Sequence, residues 1–196
     1  MTWCAGRPAW GLIVAATAAV TSPAAFGAEL VREYLDEKTA ATITVTSASM
    51  IFARERPELA VNARDYISLA ALEVNRAGTR SYYWFAYVWS TIDRRDDTPL
   101  LIESDELVLM ADGRPIRLAR DGRSLRELGV AQRPTRSPAR SAIALAFPTD
   151  PEVVAHVGAA ADVSVHLVRG GTDERFDPWA DAREALREFV AEVSQR

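Results

Sequence analysis

Residues 66–92 read YISLAALEVNRAGTRSYYWFAYVWSTI. Two long runs, 66–75 and 80–92, are rich in β-branched and aromatic residues, and such residues favour strands. The runs meet at Arg76-Ala77-Gly78-Thr79, where Gly78 can adopt the positive φ angle that a tight turn requires. This stretch therefore predicts a β-hairpin.

The second arm of this hairpin is apolar on both faces. Because side chains alternate along a strand, one face carries Tyr83, Phe85, Tyr87 and Trp89, and the other carries Tyr82, Trp84, Val88 and Ile92. A strand of this kind belongs at the centre of a layered structure, so we expect its rings to be shielded from water. If one face stayed open, those rings would instead offer a stacking platform for sugar rings or for a partner's side chains.

Alternating apolar and polar residues predict further strands on either side of the hairpin. These strands are residues 40–46, 50–54, 106–110, 115–119, 141–147, 161–168 and 172–176. Asp112-Gly113 and Gly170-Gly171 predict two more hairpin turns. Residues 121–138, rich in Arg, Gly, Pro and Ser, predict a long loop with one capped helical turn at Ser124 to Leu128.

Two helices complete the predicted fold. Asp150-Pro151 opens a short one, and Asp177-Pro178 is expected to start the last one. The last helix has one apolar stripe, made of Trp179, Ala182, Leu186, Phe189 and Val193. The sequence thus predicts a mainly β protein. We expect an antiparallel β-sandwich of about seven to nine strands, with a short inserted helix and a C-terminal amphipathic helix.

The N-terminus predicts a secretory signal peptide over residues 1–27. Arg7 precedes an uncharged stretch from Pro8 to Ala28, and Ala25-Phe26-Gly27 places small residues where a signal peptidase reads the chain. Residues 28–196 are then expected to form a single β-rich domain, periplasmic or secreted. The uncharged stretch is also long enough to span a bilayer, so an inner-membrane anchor through an uncleaved signal is the alternative.

Composition narrows the class of protein. Of 196 residues, 48% are hydrophobic and 26% are charged, which is typical of a globular domain. Arginine and alanine are abundant while Lys38 is the single lysine, and this usage indicates a bacterial protein. The formal net charge of −4 gives no overall basic field of the kind that drives nucleic-acid binding, so no nucleic-acid partner is expected.

The sequence predicts no metal or cofactor site. The histidines are His156 and His166, and the single cysteine, Cys4, lies in the predicted signal, so no Cys and His cluster with zinc spacing can be drawn. We interpret both histidines as ordinary surface residues. Motifs for a nucleophilic serine, a phosphate loop or a zinc helix do not occur, and together these observations favour a protein without catalytic activity.

Carboxylates supply the one catalytic hypothesis. Asp65, Glu73 and Asp93 lie on the central hairpin or at its ends, and two carboxylates can divide acid and base roles when their environments differ. Ion pairing with neighbouring arginines such as Arg94 is the favoured interpretation. No catalytic residue is therefore assigned.

Positive charge is concentrated in one segment. Eight arginines lie from Arg114 to Arg140, against two acidic residues, which gives a local net charge of +6. Such a loop could meet anionic lipid head groups or an acidic protein face, although a solvated loop without a partner is the simpler interpretation. The candidate interaction residues are Arg133, Arg136, Arg140, Asp65, Asp93 and Arg94.

Several short segments carry a resemblance. They are Tyr34 to Thr42, Ile51 to Glu55, Ala63 to Tyr66 and Trp89 to Arg95. Over residues 30–95 the chain resembles uncharacterised exported proteins and lipoproteins of proteobacteria. The resemblance implies an envelope protein and carries no activity. This chain departs from the lipoproteins because Cys4 precedes the apolar run and cannot bear a lipid.

Two functions remain. We expect a non-catalytic envelope module that binds or supports a protein or a surface component. The alternative is a periplasmic hydrolase that uses paired carboxylates, with Asp65 or Asp93 as the candidates.

Overall fold

The computed structural model describes Met1, residues 29–92 and residues 106–196. The predicted signal beyond Met1 and the candidates Asp93 and Arg94 lie outside these residues. The described part is mainly β, with antiparallel strand pairs and three short helices. Its elements are β1 Val31–Asp36, β2 Ala41–Thr46, β3 Met50–Glu55, β4 Arg64–Arg76, β5 Thr79–Ser90, β6 Glu106–Ala111, β7 Arg114–Leu118, α1 Leu125–Leu128, β8 Ile143–Thr149, α2 Pro151–Ala159, β9 Val163–Arg169, β10 Thr172–Ala180 and α3 Arg183–Ser194.

The central hairpin is the pair β4 and β5. Its register runs from Asp65 opposite Ser90 to Arg76 opposite Thr79. Ala77 and Gly78 form the turn with φ angles of 50° and 88°. Two left-handed residues are what a two-residue turn between twisted strands requires, so both the hairpin and its turn confirm the prediction.

The other strands form two layers around this hairpin. The free edge of β4 pairs with β3 along its first half and with β2 along its second, while β8 pairs with β5. These strands and β1 form the first layer, and β6, β7 and β9 belong to the second. β10 joins the layers because it pairs with β9 at residues 172–176 and with β3 at residues 177–180, with a register shift at Pro178.

The inner core lies between the layers and α2 and α3. Fully buried side chains from both layers and from α3 meet there, including Phe52, Trp84, Leu109, Val165 and Phe189. This arrangement confirms a mainly β, antiparallel, layered fold. Since β10 belongs to both layers, the two halves of the sandwich are one continuous sheet.

The outer core lies on the opposite face of the first layer. Residues 120–142, which we call the strap, cover this face, and their Leu128 and Val130 are buried against Phe85, Tyr87 and neighbouring side chains. β5 is therefore buried on both faces, as predicted. The prediction for the strap was only half right: it is a long irregular segment, but it is packed on the sheet.

α1 shows how closely the strap follows the sheet. The predicted capping box is present: the Glu127 backbone N–H donates to the Ser124 hydroxyl, and the Glu127 carboxylate accepts from the Ser124 backbone N–H. Gly129 ends the helix with a φ angle of 104°. A Cβ atom at Gly129 would lie 2.7 Å from Arg76 Nε and 3.0 Å from Val74 Cγ1. Glycine is needed here for the backbone angle, and a Cβ atom would also crowd Val74 and displace the Arg76 side chain.

The structure differs from the predicted elements in two places. No strand was predicted within residues 29–38, but they contain β1, an edge strand whose Val31 and Asp36 are buried while charged side chains between them face outward. The last helix does not start at Asp177-Pro178, because β10 continues to Ala180 to pair with β3. Sheet pairing therefore outweighs the local helix signal, and Trp179 lies on a strand.

Candidate binding groove

The strap is held to the first layer by a buried carboxylate. Asp36, fully buried at the end of β1, accepts the backbone N–H groups of Ala131 at 2.7 Å and Gln132 at 2.9 Å through Oδ2, and that of Lys38 at 3.1 Å through Oδ1. Burial alone would raise the pKa of Asp36, but these N–H donors outweigh it and hold the pKa below its usual range. The strap is thus fixed by an ionised side chain.

Three more hydrogen bonds fix the strap along its length. The Thr39 hydroxyl donates to the carbonyl of Gly129 at 2.6 Å, and the Tyr87 hydroxyl donates to the carbonyl of Thr135 at 3.0 Å. Arg32 Nη2 donates to the carbonyl of Pro134 at 2.5 Å. The strap therefore has a defined path across β1, β2 and β5.

Two adjoining cavities, which together we call the groove, lie beside this path. The first, of about 240 Å³, lies between β1, β2 and the strap and includes Arg32 and Pro134 in its wall. The second, of about 200 Å³, lies over β3, β4 and β5 and includes Trp89 in its wall. Ser47, Thr135 and Arg136 line both, so the cavities form one elongated site.

The groove is positively charged. Arg136 is exposed at the junction of the two cavities and forms no hydrogen bond or ion pair within the described residues. Arg32 adds a second guanidinium, stacked over the Tyr34 ring at 5.0 Å. Among the described residues that line the groove there is no carboxylate, so its charge is left for a ligand to neutralise.

An aromatic row begins at one end of the groove. Trp89 stacks on Tyr66 with ring centres 5.1 Å apart and planes 10° apart. Trp179 meets Tyr66 edge-on at 6.0 Å and is 56% exposed, with the Arg64 guanidinium 4.9 Å from its ring centre. The stacking platform considered for Tyr82 to Trp89 is mostly buried in the structure. Only Trp89, at its end, joins the partly exposed row formed with Tyr66 and Trp179.

The three predicted interaction residues on the strap lie in different environments. Arg136 lines the groove, whereas Arg133 lies near the Tyr87 phenol, whose pKa is raised by burial and partly lowered again by this guanidinium. Arg140 is exposed and outside both cavities. Sequence charge identified the segment but could not select Arg136.

Of the predicted carboxylates, Asp93 lies outside the described residues, and Asp65 and Glu73 do not form a catalytic pair. Asp65 is buried and pairs with Arg56, with Oδ2 2.5 Å from Nη1. Glu73 lies eight residues further along the same strand, which separates the two carboxylates by roughly 26 Å. Within the described residues, no group of His, Cys, Asp and Glu is arranged to hold a metal ion.

Glu73 has an unusual environment of its own. Its carboxylate is buried 3.5 Å from Arg80 Nε and has no hydrogen-bond partner within the described residues. Burial raises the pKa of Glu73, while Arg80 and Arg196 oppose the rise and Glu33 adds to it. Ionised Glu73 is therefore a cost to the fold.

We expect Glu73→Gln to stabilise the protein near neutral pH. Because the folded-state pKa lies above the ordinary value of 4.5, wild-type stability should fall as the pH rises from there through the folded-state pKa. The Gln variant cannot ionise and should escape that loss. Thermal denaturation at several pH values measures the difference, which should vanish near pH 4. A variant that melts below wild type at pH 7.5 would contradict this account.

A serine, a histidine and an aspartate meet on the second layer. His166 Nδ1 lies 2.9 Å from Asp173 Oδ1 on β10, and His166 Nε2 lies 3.3 Å from Ser164 Oγ. From the sequence, His166 was interpreted as an ordinary surface residue, although Ser164 and His166 share a strand face by their spacing. Ser164 is only 4% exposed, so its hydroxyl is shielded from a substrate.

No family model, curated protein or solved structure matches this chain. The resemblance over residues 30–95 therefore stays a prediction, and the groove must be interpreted from its own geometry.

Proposed function

We propose that this chain is an exported envelope protein and a non-catalytic binding module that holds its ligand in the groove. One observation carries the proposal: the two cavities meet at Arg136, a guanidinium that no described residue neutralises. Binding sites place a few charged or polar groups in a concave, partly apolar surface. A guanidinium is suited to this role because its donors have a fixed planar geometry.

The strap supports the proposal because it makes the groove rigid before a ligand arrives. Segment 129–135 is fixed to Asp36, Thr39, Tyr87 and Arg32 by hydrogen bonds. A wall that is already ordered costs little conformational entropy on binding. This is the property expected of a binding module.

Export through the predicted signal belongs to the same proposal. The signal itself lies outside the described residues. Within residues 29–92 and 106–196, no helix combines the length and the apolar character needed to cross a bilayer.

Thiol labelling tests whether the groove is occupied in cells. With Cys4→Ser as background, Ser49→Cys places a thiol in the groove and Ser194→Cys places one on the exposed end of α3. We expect a bulky maleimide to label the Ser49→Cys variant several-fold more slowly in intact producing cells than after purification. The Ser194→Cys variant should react equally in both. Equal rates for both variants would overturn the proposal.

Hydrolysis is the second candidate function. One observation favours it, but the residues concerned are not the carboxylates predicted from the sequence. The contacts among Ser164, His166 and Asp173 match the order of a nucleophile, a base and an orienting acid. A fluorophosphonate probe that labels the full chain, with labelling lost in Ser164→Ala, would support this candidate. Absence of labelling, which the burial of Ser164 leads us to expect, would remove it.

A further inference from the structure

The charge of the groove restricts its ligand. Arg136 lies in the wall that the two cavities share, Arg32 lines the first cavity, and the lining residues supply no carboxylate to compensate them. Arg32 has committed one donor to Pro134 and keeps others, while Arg136 keeps all of its donors within the described residues. A carboxylate or phosphate group is the complement of this pair.

Trp89 adds a different chemistry to the groove. It lines the second cavity, and its ring stacks on that of Tyr66 on the neighbouring strand, with the two planes nearly parallel. A half-buried indole held in one orientation offers a flat apolar surface. Flat rings with C–H faces, as in pyranose sugars, match such a surface better than a flexible aliphatic chain does.

Hydroxyl groups line the groove as well. Ser47 and Thr135 line both cavities, and Ser49 and Ser68 line the second. Hydroxyls can both donate and accept, so they suit a ligand that is itself covered with hydroxyls. The lining thus combines guanidinium, hydroxyl and aromatic groups.

We infer that the groove binds an acidic saccharide, with a carboxylate or phosphate at Arg136 and a sugar ring against Trp89. The inference rests on the proposed function and adds the class of ligand to it. Because the site consists of two adjoining cavities, it fits linked sugar units better than a single one.

Calorimetric titration of the full chain with hexagalacturonate, a carboxylated sugar chain, tests the inference. Arg136→Gln should weaken binding about tenfold or more, since it removes a charge-assisted contact. The matched control Arg140→Gln, also an exposed strap arginine, should bind like wild type. Ser49→Glu should also weaken binding, because it places a negative charge in the groove, while Ser49→Gln should not. Raised salt should weaken the wild-type interaction.

Three other probes separate the outcomes. Maltohexaose, a neutral sugar chain, and hexaglutamate, an acidic chain without sugar rings, should each bind more weakly than hexagalacturonate. Equal binding of either would overturn the inference, as would binding to anionic phospholipid vesicles that depends on Arg136 and exceeds sugar binding. If no probe binds while the Ser49→Cys thiol is protected in cells, the inference fails and the proposed function stands.

Discussion

The Phe189→Asp variant is expected to be unfolded or only loosely folded at room temperature. Phe189 lies on α3 and is fully buried in the inner core. Aspartate at this position would leave a carboxyl group without a partner in an apolar site, at a cost above about 4 kcal/mol. A typical domain is stabilised by only about 5–15 kcal/mol. Thermal denaturation followed by circular dichroism measures the loss.

Two variants serve as controls for this result. Phe189→Leu keeps an apolar side chain and should cost roughly 1 kcal/mol. Glu188→Asp changes the exposed neighbouring position and should melt close to wild type. A Phe189→Asp melting curve that overlays that of wild type would show that α3 is not docked in the core.

Asp36→Ala is expected to release the strap. The variant loses the acceptor for three backbone N–H groups, and two of these belong to the strap at Ala131 and Gln132. Hydrogen bonds to a charged group contribute about 1.5–3 kcal/mol, and an orphaned buried donor adds its own cost, so we expect a loss of roughly 3 kcal/mol. Chemical denaturation measures the free energy of unfolding.

The matched control is Glu37→Ala, an exposed acidic neighbour whose replacement should leave the free energy of unfolding nearly unchanged.

The pH dependence of stability gives a second test of Asp36. Because the folded-state pKa of Asp36 is lowered, its contribution is present above the ordinary value of 3.8 and is lost as the pH falls through the folded-state pKa. Asp36→Asn should remove this acid-dependent loss. Identical acid sensitivity in Asp36→Asn and wild type would contradict the assigned role.

The parts of the fold that the sequence predicted correctly are those with local causes. The three hairpins follow from Ala77-Gly78, Asp112-Gly113 and Gly170-Gly171, all of which adopt left-handed φ angles. The two apolar faces of β5 likewise needed nothing beyond alternation along one strand. Turn type and the alternation of apolar residues depend only on residues close in sequence, so both can be predicted without the rest of the chain.

The parts that were missed depend on distant partners. Asp36 and Ala131 are 95 residues apart, and nothing local to either shows that they meet. For the same reason the strap was interpreted as a solvated loop, and β1 was not predicted. Trp179 was assigned to a helix because Asp177-Pro178 resembles a helix start, while its actual position follows from the unpaired edge of β3.

The groove was only partly predictable. Charge density drew attention to the strap, and Arg136 was among the candidates. Choosing Arg136 over Arg140 requires knowing which side chain lies over β2 and β3. Asp65 was expected to find an arginine and does so, but its partner Arg56 comes from the connection after β3.

Amide hydrogen exchange at Ala131 and Gln132, read by NMR on the full chain, tests the central claim most directly. If the strap is fixed by Asp36, both amides should exchange far more slowly than those of an unstructured peptide, because they are bonded to a buried carboxylate. Exchange at the unprotected rate would mean that residues 120–142 form a free loop, and the groove that they enclose would not exist.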